Sequence, residues 1–323
     1  MKKNLFALWA LLSCFNLAHA APVAEYPART VKVVVPFAPG AINDNIARLV
    51  SEKLAGALGR TVVVENKPGA GSQIGTAFVA KAVPTGETLL FGAADGLSVL
   101  PAIKPSLGYS VPDSFSFISR VGIGPFALVV NNNLPVSSFE EFVAYAKANP
   151  KAVRHGTPGN GSSTHMGAAL IEQETGTQMT QVHYQGMAGA VNDLLAGHID
   201  AALVSAPTIA PHAKAGKVKV LAVMGPHRHK LLPEVPSIDE GSRKGLHVIG
   251  WWGLIGPAGL HADVAERLQK EMTAILGDKT FRAQLEERGI EVAPLDGNAF
   301  RQFVVEDLRK WKALSQRAKI SLD

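Results

Sequence analysis

The chain has 323 residues, of which 47% are apolar and 18% are charged, and it contains a single cysteine. The apolar fraction excludes a disordered chain, and the length suits about two domains on the usual size of roughly 100–200 residues each. The formal net charge of +5 is small. It is not gathered into blocks of like charge, which argues against nucleic acid as a partner.

The first twenty residues have the pattern of a secretory signal. Lys2 and Lys3 precede an apolar stretch at 5–12, and Ala-His-Ala at 18–20 supplies the small residues of a cleavage site. Polar residues interrupt the segment before it reaches the roughly 20 apolar residues of a membrane span. We therefore predict export to the periplasm with cleavage after residue 20. The alternative is lipoprotein processing with Cys14 as the lipid anchor.

Cleavage would remove two of the 32 basic residues, none of the 27 acidic residues, and the only cysteine. A thiol-free mature chain excludes disulfides, zinc–thiolate sites, iron–sulfur clusters and cysteine nucleophiles. The same property suits an oxidising compartment such as the periplasm.

The mature chain begins with a β-α-β-α-β series. Apolar runs of strand character alternate with segments whose apolar residues recur at helical spacing. The predicted strands are 31–37, 61–65 and 88–93, and the predicted helices are 44–58 and 74–83. This alternation is typical of an open, mostly parallel α/β sheet.

A second series of the same kind follows. Its predicted strands are 125–132, 153–156, 181–184, 201–205 and 218–224, and its predicted helices are 138–149, 164–175, 188–199 and 209–215. A strand at 251–255 and helices at 262–276, 280–288 and 298–318 close the chain. The two series indicate two α/β domains, with the late helices returning to the first.

Three glycine-rich turns follow predicted strands, at 36–44, 66–75 and 156–165. Such turns expose backbone N–H groups, and the helix that follows adds the positive end of its dipole, so they can bind an anion without lysine. In open α/β sheets, ligands bind beyond the carboxyl ends of the strands. The alternative is that these glycines only permit tight turns.

Catalytic motifs are absent from the sequence. The glycines at 69, 71 and 75 are spaced one residue too widely for a dinucleotide fingerprint, and no P-loop, H-E-x-x-H or G-x-S-x-G motif occurs. Ser162, His165 and Asp200 could be imagined as a triad, but Ser162 and His165 share one turn, which favours a capping role. His227 and His229 form the only close histidine pair, and a solvated loop explains them better than a metal site. We expect no cofactor and no metal.

Several segments, in this order and spacing, resemble one known family. They are VVVPFAPGAINDNIAR at 33–48, VVVENKPGAGSQIGT at 62–76, HGTPGNGSSTHMG at 155–167, VHYQGMAGAVNDLLAGHID at 182–200 and GWWGLIGPAG at 250–259. The chain resembles the Bug-type substrate-binding proteins of tripartite tricarboxylate transporters over about residues 26–320.

The resemblance implies a periplasmic solute-binding protein of type II-like architecture, with two α/β lobes that close around a small organic carboxylate. Lobe 1 would comprise residues 21–124 plus 248–323, and lobe 2 residues 125–247. Such a protein is not an enzyme; it delivers its ligand to membrane permease subunits. We expect a monomer without a nucleic acid partner.

The resemblance also implies where the ligand is held. The contacts carried over to lobe 1 are Phe37, Gly40, Ala41 and Asp44, and those carried over to lobe 2 are Thr157, Gly159, Thr164, His165 and Ser205. The family usually has two glycines where this chain has Gly40-Ala41, so a positive φ at Ala41 would be costly. Asp44 has an alternative role as the N-cap of the first helix.

Two other functions stay open from the residues alone. One is an exported α/β hydrolase that uses Ser162 or Ser163, and the other is a receptor whose loaded form acts on a signalling partner. The ligand itself is not specified by backbone amides. The first and third turns contain no Arg or Lys, which argues against a ligand with several charged carboxylates.

Overall fold

The computed structural model describes residues 26–322. The predicted signal segment and Cys14 lie outside these residues. Within 26–322, the helices are all too short or too polar to serve as membrane spans.

The first sheet begins with three parallel strands in the order β2-β1-β3, namely β1 (Val31–Val35), β2 (Val62–Asn66) and β3 (Thr88–Ala93). Helices α1 (Ile42–Leu58) and α2 (Gln73–Ala80) form the crossovers between them. This part confirms the predicted β-α-β-α-β series. After β3 the chain forms a π-helical turn, Asp95–Val99, and a short helix α3 (Leu100–Ile103), neither of which was predicted.

One long strand, β4 (Phe115–Asn131), belongs to both sheets. Its first part pairs antiparallel with β9 (Ile249–Pro257), which in turn pairs with β3. Its last part pairs antiparallel with β7 (Ala201–Ser205) and β8 (Val218–Val223). The predicted strand at 125–132 was therefore too short.

The second sheet continues from β4 in the order β4-β7-β5-β6. Strands β5 (Arg154–Thr157) and β6 (Thr180–His183) are parallel, and β5 is also parallel to β7. Its helices are α4 (Phe139–Ala148), α5 (Ser163–Thr175), α6 (Met187–Ala196) and α7 (Ala206–Lys214). The antiparallel pairing of β4 makes both sheets mixed, within the predicted α/β class.

The last elements are α8 (Ala262–Gly277), α9 (Lys279–Glu287), β10 (Leu295–Asp296) and α10 (Gly297–Ala318). Leu268 of α8 and Phe281 of α9 are buried in one apolar core with Val33 of β1. Helix α10 contributes to two cores. Phe300 packs with Trp251 and Phe117 beside the first sheet, whereas Trp311 and Leu314 pack with Met166 and Leu128 of the second series. The lobe boundaries at 124/125 and 247/248 stay a prediction.

Candidate functional site

The residues proposed to bind ligand lie where strands end and helices begin. Because β1, β2 and β3 are parallel, their carboxyl ends meet at one edge of the first sheet. The carboxyl ends of β5, β6 and β7 likewise meet at one edge of the second sheet. The two edges come into contact at Asp95, directly after β3, whose Oδ1 accepts a hydrogen bond from the backbone N–H of Ser163 in α5 at 3.0 Å.

The first turn joins β1 to α1. Gly40 has a positive φ of 80°, and Ala41 has an ordinary φ of −66° with a ψ of 160°. Only the glycine therefore adopts the left-handed conformation that disfavours side chains. The alanine that replaces the family's second glycine causes no backbone strain.

Asp44 organises this turn. It is 2% exposed, and its Oδ2 accepts hydrogen bonds from the Gly40 N–H and from Nε of Arg48, both at 2.9 Å. Its Oδ1 accepts from Nδ2 of Asn66 at 2.8 Å, and the same nitrogen donates to the Phe37 carbonyl at 3.1 Å. The alternative N-cap role is wrong: Ala41 holds that position, and Asp44 reaches back from the first turn of α1.

The electrostatic state of Asp44 follows from these contacts. Burial raises the pKa of Asp44, but the hydrogen bonds from Arg48, Gly40 and Asn66, with the Arg48 charge, outweigh burial and lower its pKa. The carboxylate is thus ionised at neutral pH and paired with a cation. Both of its oxygens accept from protein donors, and these contacts fix the turn.

The start of α1 leaves backbone donors available. Among residues 26–322, no acceptor pairs with the N–H groups of Ile42, Asn43 and Asp44. These are the first three residues of the helix, whose N–H groups have no partner within the helix itself. A helix N-terminus with free N–H groups stabilises negative charge. The half-buried Phe37 packs against the first core beside this end.

The third turn joins β5 to α5 and is held by neutral groups. The buried Thr157 hydroxyl lies 2.8 Å from Nδ1 of His183, and Gly159 adopts a φ of 146°. Ser162 is the N-cap of α5, since its Oγ accepts from the His165 N–H at 3.2 Å. This confirms the capping role predicted for Ser162.

His165 is buried beside this cap. Its Nδ1 accepts a hydrogen bond from the Gly161 N–H at 3.1 Å, and its ring packs edge-on against His183. Burial, followed by the neighbouring His183, lowers the pKa of His165 to about 4. The imidazole is therefore neutral at physiological pH, with Nδ1 as an acceptor.

The start of α5 differs from that of α1 in its free donors. The Ser163 N–H donates to Asp95, and the His165 N–H donates to Ser162. In the described chain, the N–H of Thr164 is left without an acceptor. The Thr164 side chain is buried, with its hydroxyl 3.4 Å from that of Ser162.

Ser205 ends β7 and begins α7. Its hydroxyl lies 2.9 Å from that of Thr208 and does not cap the helix. Hydrogen bonds connect the predicted residues within the first turn and within the third turn. None joins Ser205 to either set in the part of the chain that the structure describes.

A catalytic triad is not assembled. Ser162 Oγ caps α5, the Ser163 side chain is 3% exposed, and Asp200 forms an ion pair with Arg154 at 2.8 Å. No group of three or more His, Asp or Glu side chains within 26–322 could hold a metal ion. His227 is exposed in a loop as predicted, whereas His229 of the same loop is partly buried, with its Nε2 3.2 Å from the Gly289 carbonyl oxygen.

Two cavities lie away from these turns. One, of about 330 Å³, is lined by Ser119, Gln269 and Arg282, and another, of about 160 Å³, by Pro125, His229 and further residues. Neither is lined by a residue that we predict to bind ligand. The candidate site therefore consists of the turns at the carboxyl ends of the two sets of parallel strands, which meet at Asp95 and Ser163.

Sequence reasoning missed Asp95 and Arg48. The signal for Asp95 was available: a charged residue stands directly after the buried strand β3, at the edge where ligands bind in α/β sheets. Asp95 lies outside the three glycine-rich turns, so a search for such turns does not find it. Arg48 lies one helical turn after Asp44, the spacing of an i, i+4 ion pair.

Comparison with known proteins decides the family. Residues 46–320 match the model of the tripartite tricarboxylate transporter family receptor. The chain belongs to this family. The receptor is 30% identical to Protein BugT of Bordetella pertussis over 313 residues, which is 95% of this chain and 96% of that protein. The family's proteins are solute-binding receptors of the periplasmic type, not enzymes.

Solved structures share the fold. The structure described as R. palustris Rpa4515 with adipate superimposes with a TM-score of 0.85 at 27% identity, covering 92% of this chain and 99% of that one. Periplasmic binding protein BugD gives a TM-score of 0.81 at 33% identity over 92% and 99% of the two chains. MatC from Rhodopseudomonas palustris with bound malate gives 0.80 at 28% identity over 90% and 99%.

Proposed function

We propose that this receptor captures a small organic carboxylate between its two lobes and delivers it to the membrane permease subunits of a tripartite transporter. The observation that carries the proposal is that three N–H groups at the start of α1, at the edge where the first sheet faces α5, have no acceptor among the residues that the structure describes. Two relatives of similar fold are described with adipate and with malate.

The ligand carboxylate would accept hydrogen bonds from Ile42 and Asn43, in a turn held by Asp44 and Arg48. Free N–H groups at the start of a helix can bind an anion without a cationic side chain. The three free N–H groups of α1 are therefore sufficient to hold a carboxylate. From lobe 2, the free N–H of Thr164 would meet the ligand after closure. Because a bound ligand contacts both lobes only in the closed state, it shifts the open–closed equilibrium towards closure.

The hinge would lie in β4 and β9, the two strands through which the chain passes from one sheet to the other and returns. The proposed lobes are 21–124 with 248–323, and 125–247. The proposed location is the periplasm, reached by cleavage after residue 20. Mass spectrometry of the exported protein tests this, because lipidation at Cys14 would give a different N-terminus and mass.

Titration calorimetry on protein stripped of ligand by unfolding and refolding tests the binding proposal. The probes are mono-, di- and tricarboxylates, with the corresponding primary amides as matched neutral controls. We expect at least one acid to bind and its amide to fail. Binding by no carboxylate, or equal binding by acid and amide, would overturn the proposal.

Delivery is tested separately with the permease subunits in detergent or nanodiscs. We expect the loaded receptor to bind them more tightly than the empty receptor. Binding of the loaded receptor to a sensor protein instead of the permease would replace transport by signalling and leave the ligand site unchanged.

A further inference from the structure

Asp95 lies between the two halves of the candidate site. It follows β3, which is hydrogen-bonded to β1 and shares its direction, so Asp95 lies at the same sheet edge as the start of α1. Its Oδ1 accepts the N–H of Ser163, the first residue of α5, at 3.0 Å. A carboxylate of the protein itself therefore occupies one donor of the lobe 2 helix end.

Within residues 26–322, this carboxylate has no cation beside it. Its other interactions are with Ser163 and with its own backbone, and no Lys or Arg in the described chain pairs with it. The two histidines packed together beside the third turn are also uncharged, because burial lowers the pKa of His165 to about 4 and lowers that of His183. By contrast Asp44, at the other half of the site, has Arg48 at 2.9 Å.

An unpaired, desolvated carboxylate is unfavourable unless something compensates its charge. Burial raises the pKa of Asp95, which expresses this cost. The hydrogen bond from Ser163 and the positive end of α5 favour the charged form. A ligand that brings a cation would complete the compensation, and a ligand that brings a second anion would increase the repulsion.

We propose that Asp95 is the specificity-determining residue of the site and selects ligands that carry an ammonium group together with one carboxylate. The inference rests on the proposed function. The ligand carboxylate would bind the free N–H groups of α1, and the ammonium would face Asp95 on the α5 side. Zwitterions such as amino acids fit this arrangement, and dicarboxylates do not.

The π-helical turn supports this role because it holds Asp95 rigidly. The Tyr109 hydroxyl donates to the Gly96 carbonyl at 2.6 Å, and a side chain at Gly96 would collide with Ser72 and Thr76. Ser98, at the other end of the turn, is fully buried. Single π-helical turns occur frequently at functional sites. Asp95 is thus presented by a packed element.

The test compares acids matched in chain length. The probes are succinate, glutarate and adipate against 4-aminobutanoate, 5-aminopentanoate and 6-aminohexanoate, and leucine against 4-methylpentanoate to place the ammonium beside the carboxylate. Calorimetry gives the ratio of dissociation constants for each pair in the wild-type protein and in Asp95→Asn. Asparagine keeps an oxygen that can accept the Ser163 N–H, so the fold is preserved.

We expect at least one ammonium-bearing probe to bind the wild type about tenfold or more tightly than its partner. A tenfold ratio corresponds to about 1.4 kcal/mol, which lies between the attraction of two close opposite charges in water and that near a protein surface. Asp95→Asn should reduce that ratio by about tenfold. Asp95→Ser is the second variant if the first unfolds. Asp113→Asn, at a side chain that is 77% exposed, is the control and should leave every ratio unchanged.

The possible results distinguish failure of the proposed role of Asp95 from failure of the proposed carboxylate-binding function. A loss of affinity for both members of a pair with the ratio unchanged gives Asp95 a structural role and overturns the proposal. Preference of the wild type for diacids also overturns it, while the carboxylate receptor stands. Binding of none of these probes and of no other carboxylate overturns both.

Discussion

The first and third turns occupy equivalent places in the two sheets but are stabilised in opposite ways. The first is fixed by a charged network in which Asp44 joins Gly40, Arg48 and Asn66. Three N–H groups at the start of α1 have no acceptor within residues 26–322. The third is fixed by hydroxyls and neutral imidazoles, and Asp95 and Ser162 occupy N–H groups of α5.

The difference indicates that the two lobes bind different parts of the ligand. Since the charge of Asp44 is paired with Arg48, the first turn can receive an anion without leaving an uncompensated charge. At the third turn, two of the first three N–H groups of α5 already donate to Asp95 and Ser162. This turn is therefore suited to bind a part of the ligand other than its carboxylate.

Asp44→Ala should lower the free energy of unfolding by about 3 kcal/mol, because the Gly40 N–H and the Asn66 amide lose a buried acceptor. Urea denaturation measures the change. Asp263→Ala, at a side chain that is 57% exposed, is the control and should change it little. A loss below about 1 kcal/mol would show that the charged network does not hold the first turn.

Mild acid should destabilise the second sheet at β5, which leads into the third turn, before it affects the first turn. Burial lowers the pKa of the fully buried His155 from 6.5 to about 4. The unfolded chain therefore binds a proton more readily than the folded chain does. The contribution of neutral His155 to the free energy of unfolding is fully present above about pH 6.5 and is lost as the pH falls towards 4. From pH 8 to pH 5 the loss for this imidazole is about 2 kcal/mol.

The check is urea denaturation at both pH values. His155→Gln should reduce the pH dependence by that amount. Asp44 provides the contrast: its pKa is lowered from 3.8, so its contribution is present above that value and is lost only in stronger acid. An unchanged slope in His155→Gln would contradict this assignment.

Ile42→Pro removes one free N–H from the start of α1 and should weaken carboxylate binding by about tenfold, the worth of one charge-assisted hydrogen bond. Proline is favoured at the first position of a helix, and Ala41 already has the extended backbone that must precede it. Calorimetry with the best acid measures the effect.

Two variants control for this change. Ile42→Ala removes the side chain but keeps the N–H, so it should bind the acid as the wild type does. Ala262→Pro makes the same substitution at the first position of α8 and should also leave affinity unchanged. Equal weakening by Ile42→Pro and Ile42→Ala would assign the effect to the side chain.

The smallest effects concern the neighbouring backbone positions. Gly40→Ala should cost about 1 kcal/mol of stability, because φ at Gly40 is positive, although no atom lies within 4 Å of the added carbon. Ala41→Gly should cost less than 1 kcal/mol and leave affinity unchanged. Thermal denaturation compares the two, and a larger loss for Ala41→Gly would contradict the conformations described.

Local patterns were enough to predict most of the secondary structure. Valine-rich β1 and the spacing of Ile46, Val50 and Leu54 in α1 report burial directly. The first part of β4 was missed because Ser116, Ser119 and Arg120 interrupt its apolar pattern. Its pairing with β9 depends on residues more than 120 positions later, such as Ile255 opposite Phe117.

The site was predicted in outline because glycine-rich turns after strands are visible in sequence. Its electrostatics were not, since they depend on contacts between distant segments. Asn66 reaches Asp44 across 22 positions, and Ser163 reaches Asp95 across 68. Single-sequence patterns carry no information on such pairs. The first and third turns contain no Arg or Lys, which argues against a ligand with several charged carboxylates, and this stays a prediction.

The claim that the ligand carboxylate binds at the start of α1, and not at the start of α5, is tested most directly by ¹H–¹⁵N correlation spectra. The spectra are recorded during titration with a carboxylate that binds. We expect large downfield proton shifts for the N–H groups of Ile42, Asn43 and Asp44, because new hydrogen bonds form to an anion, with a smaller shift at Thr164. Shifts concentrated at the start of α5, with the three signals of α1 unmoved, would contradict it.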